Sequence, residues 1–277
     1  MTTIKKPEDP FVQFVLNGEY QKLKQQAILL KQAKDHLKSE LMLKDGKRHE
    51  YSDLNMVAKF VAKEVRQTNH EKMIESLFDY VKPEVALSVL SLDKKRMVEV
   101  DKEQVAKPFL LPVTYHNKPY LSKPIKEQMK LGDYLFGGQS LEEMVKEIRD
   151  VSQSSKVLQE SYEQVMKDLL VWMNKENAKK ITTPVGSVSR IANQDKWNME
   201  SVFNELGEDF LSNFGKVDLS LLDEYVLEGK IPRSIITDNR EIVDIQLTFV
   251  VMDLETEARI LNIHNRKRSE LSLKRFA

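Results

Sequence analysis

The sequence predicts a mainly α protein: long heptad helices of coiled-coil type, with a small α+β module at the C-terminal end. Three observations carry that expectation. Two apolar seams step by three and four residues without a slip, one from Tyr20 to Leu41 and one from Leu141 to Trp172. Glycine and proline are scarce, nine of each in 277 residues, while 31% of the residues are charged and 41% hydrophobic. Few turns and many charges favour long helices with one apolar stripe. β-Branched alternation gathers past residue 179.

The first seam is Tyr20, Leu23, Ala27, Leu30, Lys34, Leu37 and Leu41, with Lys34 able to snorkel its ammonium outward. Asn17-Gly18 before it and Asp45-Gly46 after it are turn and stop signals, so a helix is expected at 19–44. Asp53 can cap a helix carrying Leu54, Val57, Ala58, Val61, Ala62 and Val65. Met56, Ala58, Phe60 and Ala62 also read as a strand, but the helical spacing fits better. Further helices are expected at 69–80 and 83–91. Pro108, Pro112, Pro119 and Pro124, with Tyr115 and Tyr120 among them, predict an extended linker or surface strap. The expected organisation is therefore an N-terminal helical region (1–107), a Pro-rich linker (108–138) and a long helix with its module (139–277).

The second seam is Leu141, Met144, Ile148, Val151, Ser155, Leu158, Tyr162, Val165, Leu169 and Trp172. Gly137-Gly138 break the chain before it, and Ser140 with Glu143 has capping-box spacing. A helix over 141–175 extends about 50 Å, whereas the first seam covers only about 39 Å. Ile148, Val151, Leu158, Tyr162, Val165, Leu169 and Trp172 are thus expected to meet a second copy, making a homo-oligomer. After Trp172, residues 179–191 alternate around Pro184-Val185-Gly186 as a hairpin. Two short helices follow at 198–212 and 218–228, the second capped by Asp218 and stopped by Gly229. Strands are expected at Ile242–Met252 and Arg259–Ile263, joined by the acidic turn Asp253–Glu257. Met73-Ile74-Glu75-Ser76-Leu77-Phe78 and Met199-Glu200-Ser201-Val202-Phe203 echo one another and suggest a duplicated module, against which stands the helical reading of 54–65.

Composition excludes several chemistries. Cysteine is absent, which removes disulfides, thiolate catalysis and thiolate metal sites. The five histidines, His36, His49, His70, His116 and His264, show no HxxxH or HExxH spacing. No GxxxxGK[ST], GxGxxG, GxSxG or SxxK motif occurs. Glu228-Gly229-Lys230 with Asp218 or Asp223 resembles a nuclease metal motif, but these acids fall on a predicted helix that Gly229 ends. No enzyme, metal or cofactor is expected. The start MTTIKKPEDPFVQF has no apolar signal core, and no apolar run is long enough to span a bilayer, so a cytoplasmic protein is expected. With 43 basic and 43 acidic residues, attraction to a polyanion has to come from local clusters. The candidates are Lys179, Lys180, Arg190 and Lys196 around the hairpin, and Arg266, Lys267, Arg268, Lys274 and Arg275 in the tail. No stacking platform of RNA-module spacing accompanies them, so base readout is not expected.

The order of elements over 141–252 resembles a known family. A heptad helix ends in Leu170-Val171-Trp172-Met173-Asn174. The hairpin Lys179-Lys180-Ile181-Thr182-Thr183-Pro184-Val185-Gly186-Ser187-Val188-Ser189 follows. A helix then ends in Leu206-Gly207-Glu208-Asp209-Phe210-Leu211, before Lys216-Val217-Asp218 and Glu228-Gly229-Lys230-Ile231-Pro232. This resembles the phage host-nuclease inhibitor Gam family, over roughly 110 residues. The resemblance implies a dimeric, phage-encoded protein that binds ends of double-stranded DNA and protects them from host nucleases. In that family the helix pair directly precedes the hairpin, whereas here about 100 residues separate the two seams. The alternative is a non-enzymatic coiled-coil adaptor, or an inhibitor of a host defence protein, that needs no DNA.

Overall fold

The computed structural model describes residues 6–129, 132–134 and 136–273. In chain order the helices are α1 (Asp9–Leu16), α2 (Glu19–Met42), α3 (His70–Tyr80), α4 (Pro83–Ser88), α5 (Lys94–Glu99), α6 (Glu103–Ala106), α7 (Lys123–Gln128), α8 (Leu141–Lys175), α9 (Met199–Phe214), α10 (Leu219–Leu227), α11 (Ser234–Asp238) and α12 (Leu254–Leu273). The strands are β1 (Arg48–Tyr51), β2 (Met56–Thr68), β3 (Leu90–Leu92), β4 (Tyr115–Leu121), β5 (Lys180–Thr183), β6 (Gly186–Ala192), β7 (Gly215–Val217) and β8 (Arg240–Asp253). Among the described residues they form three sheets, ordered β1-β2-β8, β3-β7 and β4-β6-β5.

This is a mixed α/β fold, and the expectation of a mainly α coiled-coil protein is corrected. Four strands in the first half overturn it: β1, β2, β3 and β4. The segment expected as a helix from Asp53 is a 3-10 turn, Ser52–Leu54, followed by Asn55 in the left-handed region and then the 13-residue β2. Its apolar residues fit both periods. Pairing decides between them, because Met56, Val57 and Ala58 lie opposite Tyr51, Glu50 and His49 of β1, and the Phe60 ring packs 5.0 Å from Phe249 of β8. β2 and β8 run antiparallel: the Asn69 N–H donates to the Asn239 carbonyl at one end, and the Leu254 N–H to the Asn55 carbonyl at the other.

The chain divides into two compact units that interleave along the sequence. The first comprises Met1–Val61, Thr114–Asn193 and Phe249–Glu257; the second comprises Ala62–Val113, Gln194–Thr248 and Ala258–Ala277.

In the first unit the two predicted seams meet each other. The Tyr20 and Tyr162 rings lie 5.7 Å apart, Gln26 donates to the Ser154 hydroxyl at 2.7 Å, and Leu37 and Leu41 share a core with Met144, Val145 and Ile148. α2 and α8 are therefore antiparallel. The buried stripe of α2 is Leu23, Gln26, Leu29, Ala33, Leu37 and Leu41, five steps averaging the 3.6-residue period of a straight helix. Ala27 is exposed and Lys34 only half-buried, so the supercoiled heptad seam expected there is corrected. The β1–β2 hairpin packs on the α2 C-terminal half through Met56, Ala58 and Phe60. The β4-β6-β5 sheet packs on the other end of α8, where Val185 and Val188 join Met166, Leu169, Met173 and residues Phe11, Val12 and Val15 of α1. Ser140 caps α8 in the predicted capping box, and this bond holds the Glu143 carboxyl below its usual range.

The second unit has its own core, in which Met73, Ile74 and Leu77 of α3 pack with Leu211 of α9, Met97 of α5 and Leu222 of α10. Phe78 stacks on Phe203 at 5.2 Å, and β3 pairs with β7. Helix α9 is two segments joined at Gly207, whose φ of 80° and ψ of 177° are not helical. The expected strand at Arg259–Ile263 and its acidic turn are also corrected. Asp253 accepts from the Thr256 N–H at 2.6 Å, and its other oxygen accepts from the Thr256 hydroxyl at 2.8 Å; this starts α12 instead.

Candidate nucleic-acid interface

The hairpin β5–β6 is where the sequence placed its basic cluster, and its local build explains what is presented. Alternation turns Ile181 and Thr183 inward, with Thr183 buried, and leaves Lys180 and Thr182 exposed. Val185 and Val188 are fully buried against α8 and α1, which fixes the inward face. Gly186 sits at φ +143°, and a Cβ there would collide with the Tyr120 carbonyl of β4. The close approach of β4 thus depends on glycine. Lys179, just before β5, and Lys180 are exposed, and no carboxylate lies within ion-pair distance of either among the described residues.

Arg190 is placed differently. Its guanidinium donates to the Met173 carbonyl and the Asn174 side chain, both at 3.3 Å, and to the Asn177 side chain at 2.8 Å. It also lies 4.3 Å from the centre of the Tyr115 ring. A cation against the last carbonyls of α8 is favoured by the helix dipole, so Arg190 clamps the hairpin to the helix end. Lys196 is exposed and belongs to the second unit, whereas Lys179, Lys180 and Arg190 lie together at the hairpin in the first. Arg266, Lys267 and Arg268 fall in the backbone of α12, but their side chains lie outside what is described, and Lys274 and Arg275 lie outside the described residues altogether.

The residues expected to contact a second copy are taken up within the chain. Ile148 and Leu169 are 1% and 2% exposed, in the cores on α2 and on α1 respectively. Tyr162 packs against the Phe14 and Tyr20 rings, and burial pushes its hydroxyl up to about 12. Val151, Leu158, Val165 and Trp172 are half-buried. Within the chain, α1, α2 and the β4-β6-β5 sheet cover much of this stripe, leaving Val151, Leu158, Val165 and Trp172 partly exposed.

Sequence reasoning missed a second basic locus. Lys47 and Arg48 open the β1–β2 hairpin, and Lys59 lies opposite Arg48 in β2. Glu257, in the first turn of α12, is buried and accepts from Arg48 at 2.8 Å and from Lys59 at 2.6 Å. Those two cations hold its carboxyl down at about 2, and the Arg48 guanidinium is raised in return, chiefly by Glu257. Among the described residues no carboxylate lies within ion-pair distance of Lys47; its ammonium lies 5.6 Å from the centre of the Phe60 ring. The only available signal was the repeated basic pair, Lys47-Arg48 and Lys179-Lys180, each set just before or at the start of a hairpin.

Two other features bear on chemistry. An open cleft of about 420 Å³ in the second unit is lined by His70, Arg96, Asp238 and Glu241 among others. His70 Nδ1 accepts the Val217 N–H at 3.2 Å, and burial pushes the pKa of the ring down. Glu228 is paired with Lys230 at 2.7 Å, both half-exposed. Among the described residues no group of three or more histidines or carboxylates is disposed to hold a metal ion, and no helix is long and apolar enough to cross a membrane. Comparison with protein-family models, with curated proteins and with solved structures finds no match to this chain.

Proposed function

We propose that this chain binds duplex DNA through its phosphate backbone, at or near the ends, and so protects it from host nucleases. It is a phage-encoded binding protein acting in the host cytoplasm, not an enzyme. The observation that carries this reading is the β5–β6 hairpin: the Lys-Lys pair of the Gam-like segment lies exposed on a hairpin braced by α8, with no carboxylate among the described residues to neutralise it. Two free ammonium groups on a rigid strand suit a sequence-independent contact, because each neutralised phosphate releases condensed counterions. The resemblance over 141–252 supplies the preference for ends.

The test is a gel shift at 50 mM salt, comparing blunt linear duplex with a covalently closed circle of the same sequence. Wild-type chain is expected to retard the linear form first, and Lys179→Glu with Lys180→Glu to weaken that shift for every sequence tried. Equal retardation of both forms would remove the end preference; retardation of neither would remove the DNA reading.

A second reading, a non-enzymatic adaptor or inhibitor that docks on a host defence protein, draws on a different surface. The heptad seam no longer offers itself, being filled internally, but Ile242, Val243, Ile245 and Leu247 of β8 are 46–64% exposed. A run of exposed aliphatic side chains on an edge strand is a common protein-docking feature.

A further inference from the structure

We infer that the chain is an internal duplication whose two copies exchange their last strands, and that Lys47 with Arg48 is the second copy of the Lys179–Lys180 phosphate contact. The elements repeat in one order. A long helix, a hairpin, a helix, a short strand, two more helices and a closing strand run as α2, β1–β2, α3, β3, α5, α6, β4, and again as α8, β5–β6, α9, β7, α10, α11, β8. Only α4 has no counterpart between helix and short strand.

The correspondence holds at single hydrogen bonds. At the hairpin roots the Phe60 N–H donates to the Lys47 carbonyl at 2.8 Å, and the Arg190 N–H to the Lys179 carbonyl at 2.9 Å. After each hairpin an asparagine caps the next helix: Asn69 accepts from the Lys72 N–H and Asn198 from the Ser201 N–H, both at 3.1 Å. Each of these asparagines also donates its own N–H to the closing segment of the other copy, Asn69 to Asn239 at 3.0 Å and Asn198 to Phe109 at 2.9 Å. Directly after each short strand stands an aspartate that caps the next helix, Asp93 for α5 and Asp218 for α10. Their backbone bonds are reciprocal: the Asp93 N–H donates to Phe214 and the Asp218 N–H to Val89, both at 2.8 Å. Four residues beyond each aspartate stands a fully buried apolar side chain, Met97 and Leu222. A left-handed residue follows each helix, Asp101 and Gly229.

The exchange is equally reciprocal. β4 of the first copy pairs with β6 of the second, and β8 of the second pairs with β2 of the first. Such mutual strand donation is the geometry of two identical subunits, here supplied by one chain. The hairpin roots then superpose Lys47 on Lys179 and Arg48 on Lys180, so a phosphate contact made by one pair has a built counterpart in the other. The copies have diverged at this place: Glu257 occupies Arg48 and Lys59, whereas Lys180 and Ser189, the residues at those places in the second copy, meet no carboxylate among the described residues. Among the described residues no carboxylate pairs with Lys47, which leaves its ammonium to the first site.

The ligand in this inference rests on the DNA reading above; the duplication does not. The experiment measures affinity of the full-length chain for a blunt linear duplex from 50 to 200 mM salt. It compares wild type with Lys179→Glu, Lys47→Glu and, as a control of equal charge change on the exposed face of α2, Lys22→Glu. If both sites touch phosphate, Lys47→Glu and Lys179→Glu each lower the salt slope by about 0.9, so that wild type loses about 3.5-fold more affinity than either variant over that range. Binding by wild type with Lys47→Glu no different from Lys22→Glu overturns the second site alone. Wild type that leaves the duplex unbound at 50 mM salt overturns the DNA reading and the second site together.

Discussion

Leu169 separates a seam filled by its own chain from a seam waiting for a second copy. It is 2% exposed on α8, in the core with Phe11, Val15, Met173 and Val188. Leu169→Ala deletes buried carbons worth about 0.8 kcal/mol per methylene and leaves a cavity that close-packed neighbours only partly fill. Leu→Ala changes in such sites cost about 2–5 kcal/mol, and about 3 kcal/mol is expected here. For a cooperative unit of roughly 150 residues that lowers Tm by about 6–12 °C. The assay is thermal melting by circular dichroism, with sedimentation mass on the same samples and Val171→Ala, 63% exposed on the same helix, as comparison. Leu169→Ala is expected to melt early with unchanged mass, and Val171→Ala to shift stability by no more than about 0.5 kcal/mol. Equal melting of the two variants, or a Leu169→Ala change that halves the mass while leaving Tm alone, would refute intramolecular filling of the seam.

Three other expectations follow from named contacts. Glu257→Gln removes a buried carboxylate from two cations, and because the Arg48 side chain is 46% exposed the cost is put at about 1–3 kcal/mol, below that of a fully buried pair. The Glu257 carboxyl is lowered from 4.5 to about 2, so its contribution is complete above about pH 5 and fades as pH falls toward 2; melting curves of wild type and variant should converge over that window and stay parallel above it. Gly186→Ala forces a methyl onto the Tyr120 carbonyl at a φ of +143°, and a loss of about 1 kcal/mol or more of unfolding free energy, read as a lower urea midpoint, is expected; an unchanged midpoint would mean β4 does not pack as described. Asp93→Ala and Asp218→Ala each lose a helix cap worth about 1 kcal/mol, and matched losses in urea unfolding are expected of equivalent positions, while a full loss at one and none at the other would count against the duplication.

What the sequence made legible was whatever local chemistry decides alone. Ser140 with Glu143, Asp218 before α10, and the Pro184-Val185-Gly186 turn each carry their own instruction, and all stand where expected. The misread elements were decided by partners distant in the chain. Val57, Val61 and Val65 fit a helical stripe, yet β2 forms because β1 and β8 offer it two edges. The four prolines of 108–124 suggested an extended linker or surface strap; the pairing of that extended stretch was not legible, and Pro119 sits within β4, an edge strand whose outward side needs no N–H donor. Asp253 and Thr256 hold a helix start in a stretch whose acidity had suggested a turn. The echo between Met73–Phe78 and Met199–Phe203 was visible, and only the helical reading of 54–65 hid the hairpin that completes the repeat. Of the candidate site, Lys179 and Lys180 were legible from alternation; Lys47 had only the repeated basic pair to mark it, and that signal was hidden while 54–65 read as a helix and no first hairpin was expected.

The most direct test of two interlocked copies is to cut the full-length chain between them. Gly137 and Gly138 lie in open space between the copies and accept a protease recognition site. After cleavage each fragment still depends on a strand of the other, so sedimentation without denaturant is expected to give one species near the 32.2 kDa of the uncut chain, separating into two only in urea. Fragments that part on cleavage alone, each still folded, would contradict the exchange of β4 and β8 on which the account stands.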